Sequence, residues 1–446
     1  MSNLEKMFVP TKCENLMDLN DDCLLYLLSF FKHFELMDLR GFCRRLDDLI
    51  FQSRSRFVTL DFKNRFKSLD DVLQALEIIK FLGPVVKSLN LGCLSSYWSI
   101  KYIEDKSVIF DCINEHCVSL ETFDPGYVDF KDFKAIQKFA PIVKRLKSLI
   151  LNWSDFDDSL GDCLKGSSLE ELRIDNNPKI TENFFKNVAN LKSLHITSHK
   201  NLTSDSYINI LSKNLKLKKL TIFIDDFTFF NSEILVTFIA KNLQELEELS
   251  FDVFANNVSL LGELPNLKKL EIVQDSEVFT EEGTLYQHLI AQEMEKLLEK
   301  LSQRNIIEEL YINASAEQIN FDLLSNLTNL KKLSLDKCYG ITKMKNPQGL
   351  ENLETLTIEG VENVSDLLNL INPLKKLKLL DIQHNSVKFE FFNKLIQILK
   401  TTEKRPKLKV SVKIICVDQS ADKFHELLKS NQDFIDVEYI RFFEFF

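Results

Sequence analysis

The sequence predicts an α/β solenoid, with a curved parallel sheet inside and helices outside, preceded by a small all-helical module. Two observations predict the solenoid: the pattern Leu-x-x-Leu-x-Leu recurs along most of the 446 residues, and helical periodicity returns between its copies. A third observation, a helical N-terminal segment without this pattern, predicts the module. The expected domains are residues 16–55 for the module and 56–446 for the solenoid with a C-terminal cap.

The recurring pattern is the strand portion of a leucine-rich repeat. The intervals between clear copies are 23, 22, 26, 29, 21, 40, 23, 23 and 24 residues, so one interval is too long for this repeat class. Clear copies begin at Leu146, Leu169, Leu191, Leu217, Leu246, Leu267, Ile307, Leu330, Leu353 and Leu377. Weaker copies begin at Phe57, Val86, Leu120 and Val437.

Stacking of these units is expected because a single strand-plus-helix unit cannot bury its own apolar face. Positions 1, 4 and 6 of each copy should point into the core, while positions 3, 5 and 7 alternate outward to the concave face. Between strands, the segment ITENFFKNVANL places Phe184, Phe185 and Val188 on one helical face. It predicts a helix in the convex wall.

A small polar residue follows several strands. Asn177 and Cys338 occupy this position, and His199 replaces it in another copy. Such a side chain can bond buried backbone groups where the chain leaves the strand. The sequence CYGIT around Cys338 resembles the cysteine-containing subclass of leucine-rich repeats.

The 40-residue interval predicts an enlarged convex helix, although a separate partner-binding helix is an alternative. Its apolar stripe consists of Leu285, Leu289, Met294, Leu297, Leu298 and Leu301. Beyond Leu377 the pattern degrades into the aromatic tail YIRFFEFF, which predicts an end cap that shields the core of the last repeat.

The N-terminal segment predicts three short helices. Asn20 is a candidate N-cap, and Asp21 and Asp22 suit the positive end of the first helix. The apolar residues of the three helices are, in order, Leu24, Leu27, Leu28 and Phe31; Leu36, Leu39 and Phe42; and Leu46, Leu49 and Ile50. So short a unit buries little area alone, so part of its apolar surface should meet another protein or the first repeat.

This segment resembles the F-box, which docks on the small acidic Skp adaptor of SCF-type cullin ubiquitin ligases. FCRRLDDLI resembles the close of that motif, while Asn20 replaces its opening proline. Asparagine can start a helix by capping, as proline does by fixing its backbone. The resemblance implies adaptor contacts at Leu19, Leu24, Leu27, Leu28, Leu36, Leu39, Phe42, Cys43 and Leu46. The alternative is a plain helical cap on the solenoid.

Composition excludes several classes of function. The net charge of −10 disfavours nucleic acid and acidic membrane surfaces, and the sequence has neither an apolar leader nor a membrane span. The nine cysteines are scattered without a CxxC pair, so neither a disulfide framework nor a zinc site is expected. We therefore expect a cytoplasmic or nuclear protein with reduced thiols.

No catalytic or cofactor site is expected. His116 and Cys117 are adjacent without an orienting third group, and the aspartates of NWSDFDDSL lack the glycine and glutamate of a calcium loop. His195 and His199 lack further metal ligands nearby. The sequence predicts neither an enzyme nor a bound metal or cofactor.

The concave face is the expected site for a protein partner. Its outward positions include Arg173, Asp175, His195, Lys219, Phe223, Glu248, Asp252, Lys269, Glu271, Glu309, Tyr311, Lys332, Asp336, Glu359 and Asp381. The later half leans acidic, which favours a basic or mixed partner segment. An ordinary hydrated charged face is the alternative.

Together these features predict a substrate-recognition adaptor subunit of an SCF-type ligase. The resemblance implies that the module binds the Skp adaptor and, through it, a cullin, while the repeats hold the protein to be ubiquitinated. One alternative is a leucine-rich-repeat scaffold with no ubiquitin role. Another is an adaptor-bound protein that assembles complexes without causing degradation.

Overall fold

The fold was analysed in a computed structural model. It describes residues 15–62, 69–92, 107–126, 133–152, 156–197, 199–224, 231–252, 257–273, 283–313, 320–336, 341, 344–361, 364–383, 386–401, 405–417 and 421–444. The chain divides into two compact units, Met1–Lys179 and Ile180–Phe446. No helix among the described residues is long and apolar enough to cross a membrane.

The first unit contains the helical module and parallel strands joined by helices. Each strand pairs in parallel with the next one along the chain, from β1 to β5. The elements are α1 (Asp21–Leu28), α2 (His33–Asp38), α3 (Arg44–Ser53), β1 (Thr59–Asp61), α4 (Leu69–Leu82), β2 (Ser88–Asn90), α5 (Ser107–His116), β3 (Thr122–Asp124), α6 (Phe133–Arg145), β4 (Ser148–Asn152) and β5 (Glu171–Asp175).

The second unit continues the same alternation of strand and returning segment. Its strands and first helices are β6 (Ser193–Thr197), α7 (Ser204–Ser212), β7 (Lys219–Phe223), α8 (Ser232–Asn242), β8 (Glu248–Asp252), β9 (Lys269–Val273), α9 (Gly283–Arg304), β10 (Glu309–Asn313), β11 (Lys332–Asp336) and β12 (Thr355–Ile358). Then follow α10 (Leu367–Ile371), β13 (Leu379–Asp381), β14 (Ser386–Lys388), α11 (Phe389–Thr401), β15 (Leu408–Val417), α12 (Ala421–Lys429) and β16 (Ile435–Glu444).

The register between strands places equivalent repeat positions side by side. Leu220 of β7 pairs with Leu249 of β8, which pairs with Leu270 of β9, and all three are almost fully buried. The same alignment continues through Leu310 and Leu333. The predicted inward positions are therefore confirmed, because each leucine is covered by its counterparts on the two neighbouring strands.

Repeat length decides which kind of helix returns the chain to the next strand. The 26-, 29- and 40-residue intervals contain α7, α8 and α9, whereas the described parts of the intervals of 21 to 23 residues contain short 3-10 helices and no α-helix. The prediction of an ordinary helix over ITENFFKNVANL is corrected accordingly: Glu182–Asn187 is a 3-10 helix that begins at the Thr181 cap. A 3-10 helix rises more per residue, so fewer residues span the same return path.

The long interval forms a 22-residue helix, α9, that packs on the returning segment of the preceding repeat. Met294, Leu297, Leu298 and Leu301 are buried, as the apolar stripe predicted. A Cβ atom added to Gly262 would lie 2.7 Å from Lys300 Cβ, so glycine permits this close approach. The predicted members Leu285 and Leu289 lie outside the residues whose side chains are described.

The C-terminal repeats end in longer strands. β15 pairs in parallel with β13 and β14 on one side and with β16 on the other. The weak repeat copy at Val437 is therefore a strand of the same parallel sheet. Phe424 is fully buried beneath these strands, with its ring 5.1 Å from that of Phe392. The side chains of residues 440–446, most of the aromatic tail that was expected to form the end cap, lie outside the described residues, so the cap stays a prediction.

The polar ladder is present at Asn177, whose side chain is completely buried. Its Nδ2 donates to the carbonyl oxygens of Leu151 and Asp175, both at 2.9 Å. His199 is also buried at the corresponding turn. Cys338 lies outside the described residues.

We expect Asn177→Ala to lower the free energy of unfolding by about 1–3 kcal/mol, because it leaves two buried carbonyl groups without their donor. Urea denaturation would measure the change. Asn326→Ala is the matched control, since Asn326 is exposed and its loss should change stability by less than about 0.5 kcal/mol. Equal stability of the two variants would contradict a ladder role for Asn177.

Candidate partner-binding surfaces

The helical module has its own core. Leu24, Leu28, Leu36, Leu46, Leu49 and Ile50 form one cluster of buried side chains. Asn20 caps α1 as predicted, because its side chain accepts the Cys23 N–H at 2.8 Å. Arg45 holds the chain before α1, since its guanidinium donates to the carbonyls of Met17 and Leu19 and to Asp21 Oδ1. The Asn20 cap and the Arg45 hydrogen bonds fix the start of α1, as the fixed backbone angle of a proline would do.

The sequence named nine residues as adaptor contacts, and the structure places them in three environments. Leu24, Leu28, Leu36 and Leu46 are buried in the module's core, so these four hold the helices together and present no surface in this conformation. Leu19, Leu39 and Cys43 are half-buried against the same core. Leu27 and Phe42 are exposed, with Phe42 exposed to 76%.

One side of the module is tied to the first repeat. The rings of His33 and Phe34 each lie 5.6 Å from that of Phe62, and the Arg40 guanidinium lies 4.2 Å from the centre of the Phe81 ring. Arg56, which follows α3, donates to the Leu28 and Phe31 carbonyls at the end of α1. The module therefore covers the first repeat, as a cap would.

The other side of α1 is apolar and open. Tyr26 and Phe30 are exposed to 67% and 66%, and their rings meet edge to face at 5.0 Å. Leu27 and Phe31 extend this surface, which we call the α1 apolar face and define as Tyr26, Leu27, Phe30 and Phe31. Sequence reasoning missed Tyr26 and Phe30 because they stand outside the regular apolar stripe of α1. Apolar side chains grouped in this way mark interaction sites more often than lone exposed ones do.

Most of the predicted outward residues on the strands are half-buried or exposed. These are Arg173, His195, Lys219, Phe223, Glu248, Lys269, Glu271, Glu309, Tyr311, Lys332, Asp336, Glu359 and Asp381. Two predictions are corrected: Asp175 and Asp252 are only 7% and 6% exposed, so neither offers its side chain to a partner. Each is the last residue of its strand, and Asp175 also forms an ion pair with Arg173 at 2.8 Å.

The starts of five adjacent strands carry a regular arrangement of charge, which we call the charge grid. Like charges are neighbours along each strand, and opposite charges are neighbours across strands in the paired register. From β7 to β11 the grid consists of Lys218 and Lys219, Glu247 and Glu248, Lys268 and Lys269, Glu308 and Glu309, and Lys331 and Lys332. Adjacent strands lie about 4.8 Å apart, which brings opposite charges within reach of one another.

Lysines of the grid form ion pairs with glutamates of neighbouring strands, and the central Lys268 is one of them. Lys219 and Lys332 pair with Glu248 and Glu309 at 2.8 and 2.7 Å. Lys218 and Lys268 share Glu247 at 2.9 and 3.1 Å. These pairs are largely exposed, so solvent and salt screen them and each contributes little to stability.

A cleft of about 380 Å³ opens in the middle of the grid, lined by Glu247, Glu248, Lys268, Lys269, Glu308 and Glu309. Desolvation alone would raise the pKa of Glu309, but the hydrogen bond and charge of Lys332, together with Lys269, outweigh it, so this pKa lies below its usual value. Burial and the nearby Glu309 charge raise the pKa of Tyr311, whose hydroxyl donates to Glu309 Oε2 at 3.3 Å. Glu309 is thus ionised near neutral pH.

The residues considered for catalysis do not assemble a site. Burial raises the pKa of Cys117 to about 12, so this thiol stays protonated at neutral pH and supplies no thiolate nucleophile. Asp155 of NWSDFDDSL lies outside the described residues. Within the described ranges, no group of three or more His, Cys, Asp or Glu side chains could hold a metal ion.

Comparison with known proteins gave one family-model match and one structural neighbour that can be described. Residues 321–410 match the family model described as Zer-1-like, leucine-rich repeats. A crystal structure of an internalin from Listeria monocytogenes aligns over 87% of this chain and 88% of the internalin, with 15% identity and a TM-score of 0.40. No curated protein matches the sequence.

The chain is an α/β leucine-rich-repeat solenoid. Its parallel strands lie within the predicted repeat copies, and the family model spans three consecutive clear copies. Repeats of this class present their strand face to other proteins, and the fold is typically non-enzymatic. The repeats therefore support a role in protein interaction.

We expect Lys332→Met to raise the pKa of Glu309, because the variant removes the hydrogen bond and charge of Lys332 while the desolvation of Glu309 remains. Carboxyl-carbon NMR titration would measure it. Lys378→Met, which removes a similar ion pair with Glu354, should leave the pKa of Glu309 unchanged. An unshifted Glu309 titration in Lys332→Met would count against the paired geometry of the grid.

Proposed function

We propose that this protein is a substrate-recognition adaptor subunit of an SCF-type cullin ubiquitin ligase. In this proposal the helical module docks on the Skp adaptor through the α1 apolar face, and the strand face of the repeats holds the protein to be ubiquitinated. Catalysis belongs to other subunits, and this chain acts by raising the local concentration of the held protein near the transfer site.

The observation that carries the proposal is a difference between the two sides of the module: one side packs on the first repeat, and the other exposes aromatic side chains. A terminal cap needs an apolar inner side and a polar outer side, since water covers the latter. Here the inner side is already packed on Phe62 and Phe81, yet the outer side exposes Tyr26 and Phe30. An exposed aromatic pair on a module that resembles the F-box favours docking on a partner over capping alone.

The adaptor resemblance and the open face suggest the same side of the module. Leu27, one of the residues that the resemblance implies, lies between Tyr26 and the exposed end of α1. Tyrosine and other large aromatic side chains carry much of the binding energy at protein interfaces. Tyr26 and Phe30 therefore replace the four buried leucines as the residues to test.

We expect the purified wild-type protein to bind the purified Skp adaptor, and the Tyr26→Asp, Phe30→Asp double variant to lose about 30-fold or more in affinity, as for removal of an interface hot spot. Both side chains are exposed, so circular dichroism and the thermal midpoint should stay at wild-type values. Isothermal titration calorimetry would measure the affinity.

Val118→Asp is the matched control, because it places the same charge on an equally exposed apolar residue outside the module. It should bind the adaptor as the wild type does. Failure of the wild-type protein to bind would remove the ubiquitin role and leave a leucine-rich-repeat scaffold, which is the alternative.

A protein that assembles complexes without causing degradation would also bind the adaptor. The half-life of proteins captured on the repeats separates the two functions. Cells carrying the Tyr26→Asp, Phe30→Asp variant should retain a captured protein longer if the ligase function is correct. An unchanged half-life together with adaptor binding would support assembly instead.

A further inference from the structure

A row of two arginines and two phenylalanines lies at the junction of the helical module and the first repeat. The Arg40 guanidinium carbon lies 4.2 Å from the centre of the Phe81 ring, which lies 6.2 Å from the centre of the Phe51 ring. The Arg54 guanidinium carbon lies 3.7 Å from the centre of the Phe51 ring. We call Arg40, Phe81, Phe51 and Arg54 the arginine–phenylalanine row.

Folding of the chain accounts for only part of this row. Phe81 is half-buried and packs against the core of the module. Phe51 is 49% exposed, and Arg40 is exposed as well. The row therefore presents an aromatic ring and a cation to solvent at the same junction. Aromatic and arginine side chains are the types enriched at protein interfaces.

The two guanidinium groups at the ends of the row have no carboxylate partner among the residues that the structure describes. Arg40 makes one weak further contact, in which its Nη1 lies 3.9 Å from Met37 Sδ. Arg45 and Arg56, in contrast, donate to backbone carbonyls of the module. The fold uses those two arginines and leaves the charges of Arg40 and Arg54 uncompensated.

Three of the acidic side chains on α2, α3 and α4 have other partners. Asp38 accepts a hydrogen bond from a glutamine of α4 at 3.4 Å, and Asp47 accepts one from a backbone N–H at 2.9 Å. Glu77 pairs with Lys80 at 2.7 Å. Residues 38–56 carry five arginines and three aspartates, a difference of +2, whereas the whole chain carries −10. The charge of this part of the module therefore favours an anionic occupant.

Contact with a ring leaves the hydrogen-bond donors of an arginine available. The attraction to the ring acts through the face of the guanidinium plane, whereas the N–H groups lie at its edge. Both ring contacts also restrict the arginine side chains, so less conformational entropy is lost when a ligand binds. A second cation would be repelled by Arg40 and Arg54, while a carboxylate can accept from their N–H groups without displacing either from its ring.

We propose that the arginine–phenylalanine row binds an acidic segment of a partner protein, in which carboxylates flank an apolar side chain. The carboxylates accept hydrogen bonds from Arg40 and Arg54, and the apolar side chain covers the exposed part of Phe51. The proposal rests on this chain holding a protein partner, but it depends neither on adaptor docking through the α1 apolar face nor on the strand face.

Single-stranded nucleic acid is the other polymer that combines anionic groups with flat apolar ones. Its binding sites pair aromatic side chains with a cationic groove that follows the backbone. The difference of +2 over residues 38–56 is small, and the charge of −10 on the whole chain would repel a phosphate backbone that extends beyond the row. A short acidic segment needs only the two guanidinium groups.

The test uses the full-length protein and the fluorescein-labelled peptide EELFEE, with binding followed by fluorescence anisotropy at low salt, where screening is weak. The wild type should bind this peptide saturably. The peptide EEGGEE should bind at least about threefold more weakly, because it lacks the apolar side chains that cover Phe51. A labelled oligothymidylate should bind more weakly than EELFEE.

Arg40→Glu and Arg54→Glu should each weaken EELFEE binding about tenfold or more, since each replaces an attraction by a like-charge repulsion. Phe51→Ser should weaken EELFEE binding and leave EEGGEE binding unchanged. Arg40→Gln removes the charge without adding repulsion and should weaken binding as well. Circular dichroism and the thermal midpoint check that each variant keeps the fold.

Arg304→Glu is the matched control, because it makes the same charge change at an exposed arginine in the last turn of α9. It should bind EELFEE as the wild type does. An equal loss in Arg304→Glu and Arg40→Glu would assign the effect to overall charge.

The proposal is overturned by that equal loss, by the absence of saturable wild-type binding, or by binding of EEGGEE or oligothymidylate as tight as that of EELFEE. The Tyr26→Asp, Phe30→Asp variant should bind EELFEE within about threefold of the wild type, since neither residue belongs to the row. Loss of adaptor binding and loss of peptide binding are thus separate results, and either can fail without the other.

Discussion

Every feature of this protein depends on the stacking of one repeat on the next. A leucine such as Leu249 has no apolar environment of its own and is buried only because Leu220 and Leu270 cover it from the neighbouring strands. That dependence holds the strands in register, with inward residues beside inward residues. The outward residues are then aligned too, which is why charges 21 to 40 positions apart in the sequence become neighbours in the charge grid.

The helical module shows the same constraint at the end of a repeat array. The first repeat has an apolar side that no earlier repeat covers, and the module covers it through Phe62 and Phe81. The module's small core is complete without α1's outer side. The exposure of Tyr26 and Phe30 is therefore not explained by the folding of the module, and the proposed docking on an adaptor would account for it.

The repeat pattern was easier to predict than the burial of strand-end residues, the partners in the ion pairs or the type of helix between strands. The inward and outward positions followed from the pattern, but Asp175 and Asp252, the last residues of β5 and β8, are buried. The convex segment at Phe184 has the composition of an ordinary helix, yet a 22-residue repeat leaves room only for a 3-10 helix. Which lysine engages which glutamate depends on side-chain geometry, so the ion pairs of the grid could not be assigned beforehand.

The sequence by itself determined the repeat, its register and the cap of α1 by Asn20, because these depend on local spacing and on residues within one turn. Only the tertiary structure decided which side chains remain available to partners. Exposure of Tyr26 and Phe30, and the contact of Arg40 with the Phe81 ring, result from packing between segments distant in the chain. The repeat pattern specifies whether a side chain points inward or outward, whereas its exposure depends on which other elements pack over it.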